Sequence, residues 1–240
     1  MESRALIPSA SVRRLVRYVV DDVSSESMAD ELGAWLAGSA RFRDFVAAHR
    51  DKIRKKLRTA ADADGRHDVR AELRVAHLLL ADRRIRLAFE AHGAGRRGPD
   101  FTLEYRDHPA FDLEVTRMRR DPAEATDGGP LLAKLRQLST GRANVLLVAL
   151  QGPRAEAFDI ATAVRGLRAR ADAKDEAFFT RRGIEGSRAF YDRFLRLGAV
   201  IGWCDAGSGE ARAVAWSNAS ARTPPPERAL RAALDCLRAS

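Results

Sequence analysis

Acidic residues recur in the stretch GPDFTLEYRDHPAFDLEVTR, which covers residues 98–117. Asp100 begins one short segment of alternating apolar residues, and Asp112 and Glu114 lie in the next. Carboxylates on neighbouring strands can share a hard divalent cation such as Mg2+ or Mn2+, because these ions prefer oxygen ligands. A cation held in this way can activate a bound water for hydrolysis. The stretch therefore predicts a metal-dependent hydrolytic site, and the alternative is an ordinary hairpin whose acids face solvent.

The two segments are predicted to pair as an antiparallel hairpin through the turn-like link RDHP. Their alternating apolar residues are Phe101, Leu103 and Tyr105 in the first, and Phe111, Leu113 and Val115 in the second. Both rows must share one face, since a register slip of one residue would turn one row outward. Asp100 then lies on the opposite face, directly across from Glu114 or Thr116, with Cβ atoms roughly 5 Å apart. Two carboxylates at that distance repel each other unless a cation lies between them.

Helices and a strand around the hairpin would position further candidate residues. The segment DVRAELRVAHLLLADRR predicts a helix with Asp68 as its N-cap and Glu72 beside its apolar stripe. Downstream, PLLAKLRQL predicts a helix with Lys134 and Gln137 one turn apart, and ANVLLVAL predicts a central strand buried on both faces. A helical stretch from about 157 to 197, broken at RRGIEGS, precedes two strands and a last helix. This order predicts a mixed α/β domain.

The N-terminal sequence is helical in pattern, with apolar residues at three- and four-residue intervals. We therefore predict a helical N-terminal segment, 1–60, followed by an α/β domain, 61–240. The basic run HRDKIRKKLR in the first segment could bind phosphate through Lys55 and Lys56. The alternative is a solvated helix face with Ile53 and Leu57 turned inward.

Composition and charge favour a protein that binds a polyanion, and they argue against a disulfide-rich, zinc-binding or membrane-spanning protein. The chain has 42 Lys and Arg against 33 Asp and Glu, a formal net charge of +9 and a pI near 10.3, which favours a polyanionic partner. Only five of the basic residues are lysine, so a GC-rich genome is an alternative source of this charge. Two cysteines make neither a disulfide framework nor a zinc site. Without a bilayer-length apolar stretch or a secretion signal, a cytoplasmic protein that does not enter a membrane is expected.

The ordered motifs resemble the PD-(D/E)xK nuclease superfamily, which has the restriction-endonuclease-like fold. Its core runs helix, three strands, helix, strand, and residues from about 68 to 150 follow that order. Pro99-Asp100 is similar to the PD element, and FDLEVT to the strand that carries (D/E)-x-K. Glu72 lies where many members place an auxiliary acid. Lys134 and Gln137 lie where several members contribute a lysine or glutamine to the site.

The resemblance implies a restriction-endonuclease-like mixed sheet flanked by helices. It also implies cleavage of nucleic acid, with DNA favoured over RNA as the substrate. Mg2+ or Mn2+ would be held by Asp100, Glu114 and the carbonyl of Val115. Glu72, Lys134 and Gln137 would support catalysis from the two core helices. Arg117, Arg119 and Arg120, together with Lys55 and Lys56 of the N-terminal segment, would contact the nucleic-acid backbone, and the acidic, Gly-rich loop 121–129 would lie over the cleft. A homodimer is a further expectation, because cutting both strands of a duplex needs two sites.

Thr116 departs from the motif, because it stands where the superfamily has lysine. Three accounts follow. In the first, a lysine comes from elsewhere, with Lys134 as the candidate. In the second, Asp112-Leu113-Glu114 is the motif, Asp112 becomes a metal ligand, and a glutamate replaces the lysine. In the third, catalysis is lost and the protein is an inactive module that binds nucleic acid or a protein partner.

Overall fold

The structure, a computed structural model, describes residues 9–20, 26–60, 62–90, 98–118, 129–150, 159–205 and 211–239. The chain divides into two compact units, Met1–Arg83 and Arg84–Ser240. The described part of the first unit is helical, whereas the second contains a six-stranded sheet and further helices. None of the described helices is long and apolar enough to cross a membrane.

The helices of the N-terminal unit are α1 Ala10–Val20, α2 Glu26–Gly38, α3 Ala40–Thr59 and α4 Ala63–Leu79. The sequence pattern did not separate α2 from α3. Ser39 separates them, because its hydroxyl oxygen accepts a hydrogen bond from the backbone N–H of Phe42 at 3.2 Å and caps α3. Ile53 and Leu57 of α3 are buried, as the spacing predicted.

Helix α4 begins earlier than the sequence predicted. Asp68 was expected as the N-cap, but Asp62 caps the helix by accepting a hydrogen bond from the backbone N–H of Gly65 at 2.7 Å. This cap satisfies an N–H at the helix start that would otherwise lack a partner, so the helix includes the polar residues before Asp68. The N-terminal compact unit ends at Arg83 rather than at the predicted boundary of residue 60, since α4 packs against α3.

The sheet of the C-terminal unit contains β1 Ile85–Phe89, β2 Phe101–Tyr105, β3 Phe111–Arg117, β4 Ala143–Leu150, β5 Leu197–Cys204 and β6 Arg212–Ser217. The strands lie in chain order across the sheet. The first three are antiparallel, β3, β4 and β5 are parallel, and β6 is antiparallel to β5. The predicted mixed α/β class is confirmed. The strand ANVLLVAL is buried along its whole length, also as predicted.

The remaining helices are α5 Gly129–Leu135, α6 Ile160–Asp172, α7 Glu176–Thr180, α8 Ser187–Phe194 and α9 Glu227–Arg238. Side chains of α5, α6 and α8 form one core with Leu146 and Val148 of β4. On the opposite face, the indole N–H of Trp203 in β5 donates to the carbonyl of Leu237 in α9 at 3.1 Å. The predicted break between α7 and α8 contains Gly183 and Gly186, whose φ angles of 73° and 97° favour glycine.

Candidate metal-binding and catalytic site

Strand pairing brings Asp100 beside Glu114. In the antiparallel pair of β2 and β3, Phe101 lies opposite Leu113, so the preceding residue, Asp100, comes opposite Glu114 when the register is continued. The Oδ2 atom of Asp100 also accepts a hydrogen bond from the backbone N–H of Val115 at 2.9 Å. This is one of the two registers that the apolar pattern allowed, and it places the two acids side by side.

The carbonyl of Val115 is directed to the same end of the hairpin. The N–H and C=O of one residue in a β-strand point to the same edge of that strand. The N–H of Val115 is directed at Asp100, so its carbonyl oxygen points to the β2 edge as well. This position lies beyond Phe101 and Leu113, the last residues that pair β2 with β3. Two carboxylates and one carbonyl therefore lie around the open end of the hairpin.

Helix α5 brings Lys134 to the acid of the motif. Its buried Leu131 and Leu135 pack in the core and fix the helix against the sheet. The Nζ atom of Lys134 donates to Oε1 of Glu114 at 2.7 Å and to Oε1 of Gln137 at 3.3 Å. A lysine ammonium thus reaches Glu114 from a helix, although a threonine stands at the lysine position of the strand motif.

Burial and charge act together on Glu114. Its side chain is 10% exposed, and that of Lys134 is 22% exposed. Burial raises the pKa of Glu114 above its ordinary value and the adjacent Asp100 carboxylate raises it further, whereas the Lys134 ammonium opposes the shift. Ionisation of both acids is therefore costly in the isolated protein, and a cation between them would stabilise the doubly charged form.

Asp112 occupies a different environment from the other two acids. It is 2% exposed. Its Oδ1 atom accepts from the hydroxyl of Thr102 at 2.9 Å and from Nη1 of Arg142 at 3.1 Å, and its Oδ2 accepts from the hydroxyl of Ser139 at 2.6 Å. The same Ser139 is tied to Asn144 through its backbone N–H at 3.0 Å. Both oxygens of Asp112 are thus used to hold the α5–β4 connection onto β2 and β3.

The motif residues did not predict this network around Asp112. Thr102 shares the strand face of Asp100, and this could have been deduced from the alternation of β2. The polar run STGRAN, residues 139–144, which covers the end of the α5–β4 connection and the start of β4, was a second signal. A buried acid beside such a run needs several hydrogen-bond donors, and the run supplies Ser139 and Arg142.

Three predicted residues lie in the N-terminal unit. Glu72 of α4 is 6% exposed and accepts a hydrogen bond from Nζ of Lys56 at 2.6 Å. This ion pair directs the Lys56 ammonium toward α4. Lys55, the next residue along α3, is exposed instead. Lys55 and Lys56 were both predicted to contact phosphate, but they are in different surroundings.

Among the remaining candidates, Thr116 and Arg117 are half-buried at the end of β3. Arg119 and Arg120 lie outside the described residues, as does the loop from 121 to 128. Their predicted contacts with a nucleic-acid backbone stay predictions. The structure therefore gathers Asp100, Glu114, Val115, Lys134 and Gln137 at one site.

The donor set fits a hard cation that uses few protein ligands. Over the described residues, no group of three or more His, Cys, Asp or Glu is arranged to hold a metal ion. Asp100, Glu114 and the Val115 carbonyl instead offer oxygen atoms only. Mg2+ at phosphate-transfer sites is commonly bound by one or two carboxylates, with water and substrate phosphate as its other ligands.

Comparisons with protein-family models, curated proteins and solved structures found no match to this chain. The likeness to a nuclease superfamily therefore depends on the motif residues and their order.

Proposed function

We propose that this protein is a divalent-metal-dependent nuclease that hydrolyses phosphodiester bonds of nucleic acid, with DNA as its main substrate. The observation that carries the proposal is the convergence of Asp100, Glu114 and Lys134 at the open end of the β2–β3 hairpin. Neighbouring acids on a largely buried face are unfavourable unless a cation bridges them. An ammonium beside them suits a substrate with negatively charged oxygens.

The order of elements supports the same proposal. Three antiparallel strands, β1 to β3, are followed by α5 and then by β4, which is parallel to β3. That order is what the resemblance to PD-(D/E)xK nucleases implies for the restriction-endonuclease-like core. Asp100 immediately precedes β2 and Glu114 lies on β3, which are the positions that the motif implies, and α5 is the helix from which Lys134 extends.

In this function, Asp100, Glu114 and the carbonyl of Val115 hold Mg2+ or Mn2+, which when bound polarises a phosphate oxygen and lowers the pKa of water. Lys134 donates hydrogen bonds beside Glu114, where it orients the attacking water and stabilises negative charge on the phosphate. Gln137 accepts a hydrogen bond from Lys134 and so restricts the ammonium. Asp112 is left out of the metal ligands, because its oxygens already accept three hydrogen bonds. The auxiliary role of Glu72 and the homodimer stay predictions.

A second candidate function is a non-catalytic module that binds nucleic acid. One observation favours it, namely that the Lys134 ammonium already neutralises Glu114 at 2.7 Å. In such a module the lysine is a permanent counter-charge, no metal binds, and Thr116 marks the loss of the motif. Metal binding separates the two functions.

Isothermal titration of Mn2+ into the wild type and into an Asp100→Ala, Glu114→Ala double variant tests the proposal. A matched control is Glu104→Ala, Asp107→Ala, which removes two exposed acids from the same hairpin. We expect one site in the wild type and in the control, and none in the double variant. Duplex DNA and RNA are then incubated with Mg2+ to measure cleavage by the wild type and by Lys134→Ala. Absence of Mn2+ binding in the wild type, with and without a non-hydrolysable DNA analogue, would overturn the nuclease proposal.

A further inference from the structure

Basic side chains gather on one face of the N-terminal unit, along α1 and the second half of α3. This α1–α3 basic face consists of Tyr18 on α1 and Arg50, Arg54, Lys55 and Arg58 on α3, with the exposed Arg14 one helical turn before Tyr18. Helix α1 has no acidic residue. Between residues 50 and 58 the only acid is Asp51, whose carboxylate accepts a hydrogen bond from the hydroxyl of Tyr18. The face therefore has a strong excess of positive charge.

Tyr18 organises the arginines of this face. The guanidinium carbon of Arg50 lies 5.3 Å from the centre of the Tyr18 ring, and that of Arg54 lies 4.7 Å from it. Both distances are within the range of cation–π attraction. The Tyr18–Asp51 hydrogen bond holds the ring in place. Two planar guanidinium groups are thus oriented in advance, which lowers the entropy cost of binding a phosphate.

A cleft of about 380 Å3 lies at this face, lined by Tyr18, Asp51, Arg54, Lys55, Arg58 and Thr59. Its polar lining includes three basic side chains, namely Arg54, Lys55 and Arg58. Arginine and lysine are among the side chains that contact phosphate oxygens in protein–DNA complexes. The lining residues on α3 extend from Asp51 to Thr59, about two helical turns, so the cleft suits a phosphate chain more than a small molecule.

We infer that the α1–α3 basic face binds the phosphate backbone of duplex nucleic acid without reading its sequence. Charge complementarity identifies a polyanion as the occupant. A membrane surface fits less well, because Tyr18 and Val214 are the only large apolar side chains exposed among the described residues, and an interfacial helix needs an apolar face to insert. Single-stranded nucleic acid also fits less well, since stacking needs a free aromatic ring and two arginines already lie against Tyr18.

This inference deepens the proposed function and rests on it only in naming nucleic acid as the polyanion. The face lies in the N-terminal unit, whereas Asp100 and Glu114 lie in the C-terminal unit. Binding at the face needs no metal and no cleavage. Binding of nucleic acid measured in the presence of a chelator therefore tests the basic face alone. Its outcome does not depend on whether the protein is a metal-dependent nuclease.

The test is fluorescence anisotropy with a labelled 30-base-pair DNA duplex in EDTA, over a range of salt concentrations. The variant Arg54→Ala, Lys55→Ala, Arg58→Ala is compared with the charge-matched control Arg83→Ala, Arg188→Ala, Arg228→Ala, whose arginines are exposed elsewhere. Circular dichroism and thermal unfolding check that both variants fold. The same duplex is titrated with the Asp100→Ala, Glu114→Ala variant, and the wild type is titrated with single-stranded DNA and with vesicles containing phosphatidylserine.

We expect the triple variant on α3 to bind roughly 10- to 100-fold more weakly than the wild type, and the slope of log K against log salt to fall by about 2 to 3. The charge-matched control and the acid variant should keep most of the wild-type affinity. Equal losses in the triple variant and its control would show a general effect of net charge and would overturn the inference. Tighter binding to single strands or to vesicles than to duplex would overturn it as well.

Discussion

The Nζ atom of Lys134 lies 2.7 Å from Oε1 of Glu114, across the gap between α5 and β3. Lys134 comes 20 residues after Glu114 in the chain. The motif to which Glu114 belongs would place a lysine two residues later on the same strand, at Thr116. A helix therefore supplies the ammonium that the strand lacks, and the contact also offsets the charge of a largely buried acid.

Lys134→Met tests whether this ammonium competes with a metal ion for Glu114. We expect Mn2+ to bind about fivefold more tightly, because removing a neighbouring positive charge is worth about 1 kcal/mol. We also expect the metal-free protein to lose about 1–3 kcal/mol of unfolding free energy, since Glu114 keeps its burial and loses its partner. Titration calorimetry measures the Mn2+ affinity, and urea unfolding measures the stability.

Lys134→Arg is the control, because it keeps the charge and should leave the Mn2+ affinity near the wild-type value. Equally tighter Mn2+ binding in both variants would contradict the charge argument.

Asp100→Asn should separate stability from metal binding. The asparagine carbonyl oxygen can still accept the hydrogen bond from the N–H of Val115. Removal of the charge ends the repulsion of Glu114, so the metal-free protein should gain about 0.5–1 kcal/mol. Mn2+ binding should fall at least tenfold. Thermal unfolding with and without Mn2+ measures both, and a variant that is less stable without metal would show that the two acids do not repel.

Asp112→Ala should destabilise the fold and spare the metal site. The change leaves Arg142, Ser139 and Thr102 without their shared acceptor, so we expect a loss of about 3 kcal/mol in unfolding free energy. Ser139→Ala removes one of those bonds and should cost about 1 kcal/mol. In the folded variant, Mn2+ affinity should change less than about twofold. A drop of tenfold or more in that affinity would make Asp112 a metal ligand instead.

We predict that protonation of His77 lowers the stability of the protein in mild acid. Its ring lies 5.8 Å from that of Trp35 and 5.1 Å from that of Phe42, and its buried Nδ1 has no hydrogen-bond partner within the described ranges. Burial, helped by the charge of Arg74, lowers its pKa from 6.5 to about 4. Between these values the unfolded chain binds the proton more tightly than the folded chain does. The stability that neutral His77 contributes is therefore fully present above pH 6.5, and it is lost as the pH falls toward 4.

Allowing for the partial exposure of the ring, His77 should account for about 1 kcal/mol of the difference in stability between pH 7 and pH 5. Urea unfolding of the wild type and of His77→Phe at both pH values measures it. The variant keeps an aromatic ring between Trp35 and Phe42 and has no group to protonate. The same pH dependence in both proteins would assign the effect to other residues.

The sequence determined the strands of the hairpin and the parity of their register. Side chains alternate with a period of two, so burial of Phe101 and Leu113 on one face requires Asp100 and Glu114 to lie on the other. The alternation allowed either Glu114 or Thr116 opposite Asp100, and the observed register places Glu114 there. The unbroken apolar run of β4 was equally informative, because a run of this kind is typical of a strand covered on both faces.

The tertiary structure alone decided which distant side chains meet. Lys134 reaches Glu114 because the leucines of α5 pack that helix against the sheet. The periodicity of a helix in the sequence does not specify where the helix lies along a strand. Lys55 and Lys56 are adjacent in the sequence, but the 100° rotation per residue of a helix exposes one and turns the other to Glu72. Asp112 and Glu114 share a face and a strand, yet one is enclosed by donors from the α5–β4 connection and the other faces the open end of the hairpin. Contacts of this kind depend on how elements pack, and packing is set by the whole core rather than by any local run of residues.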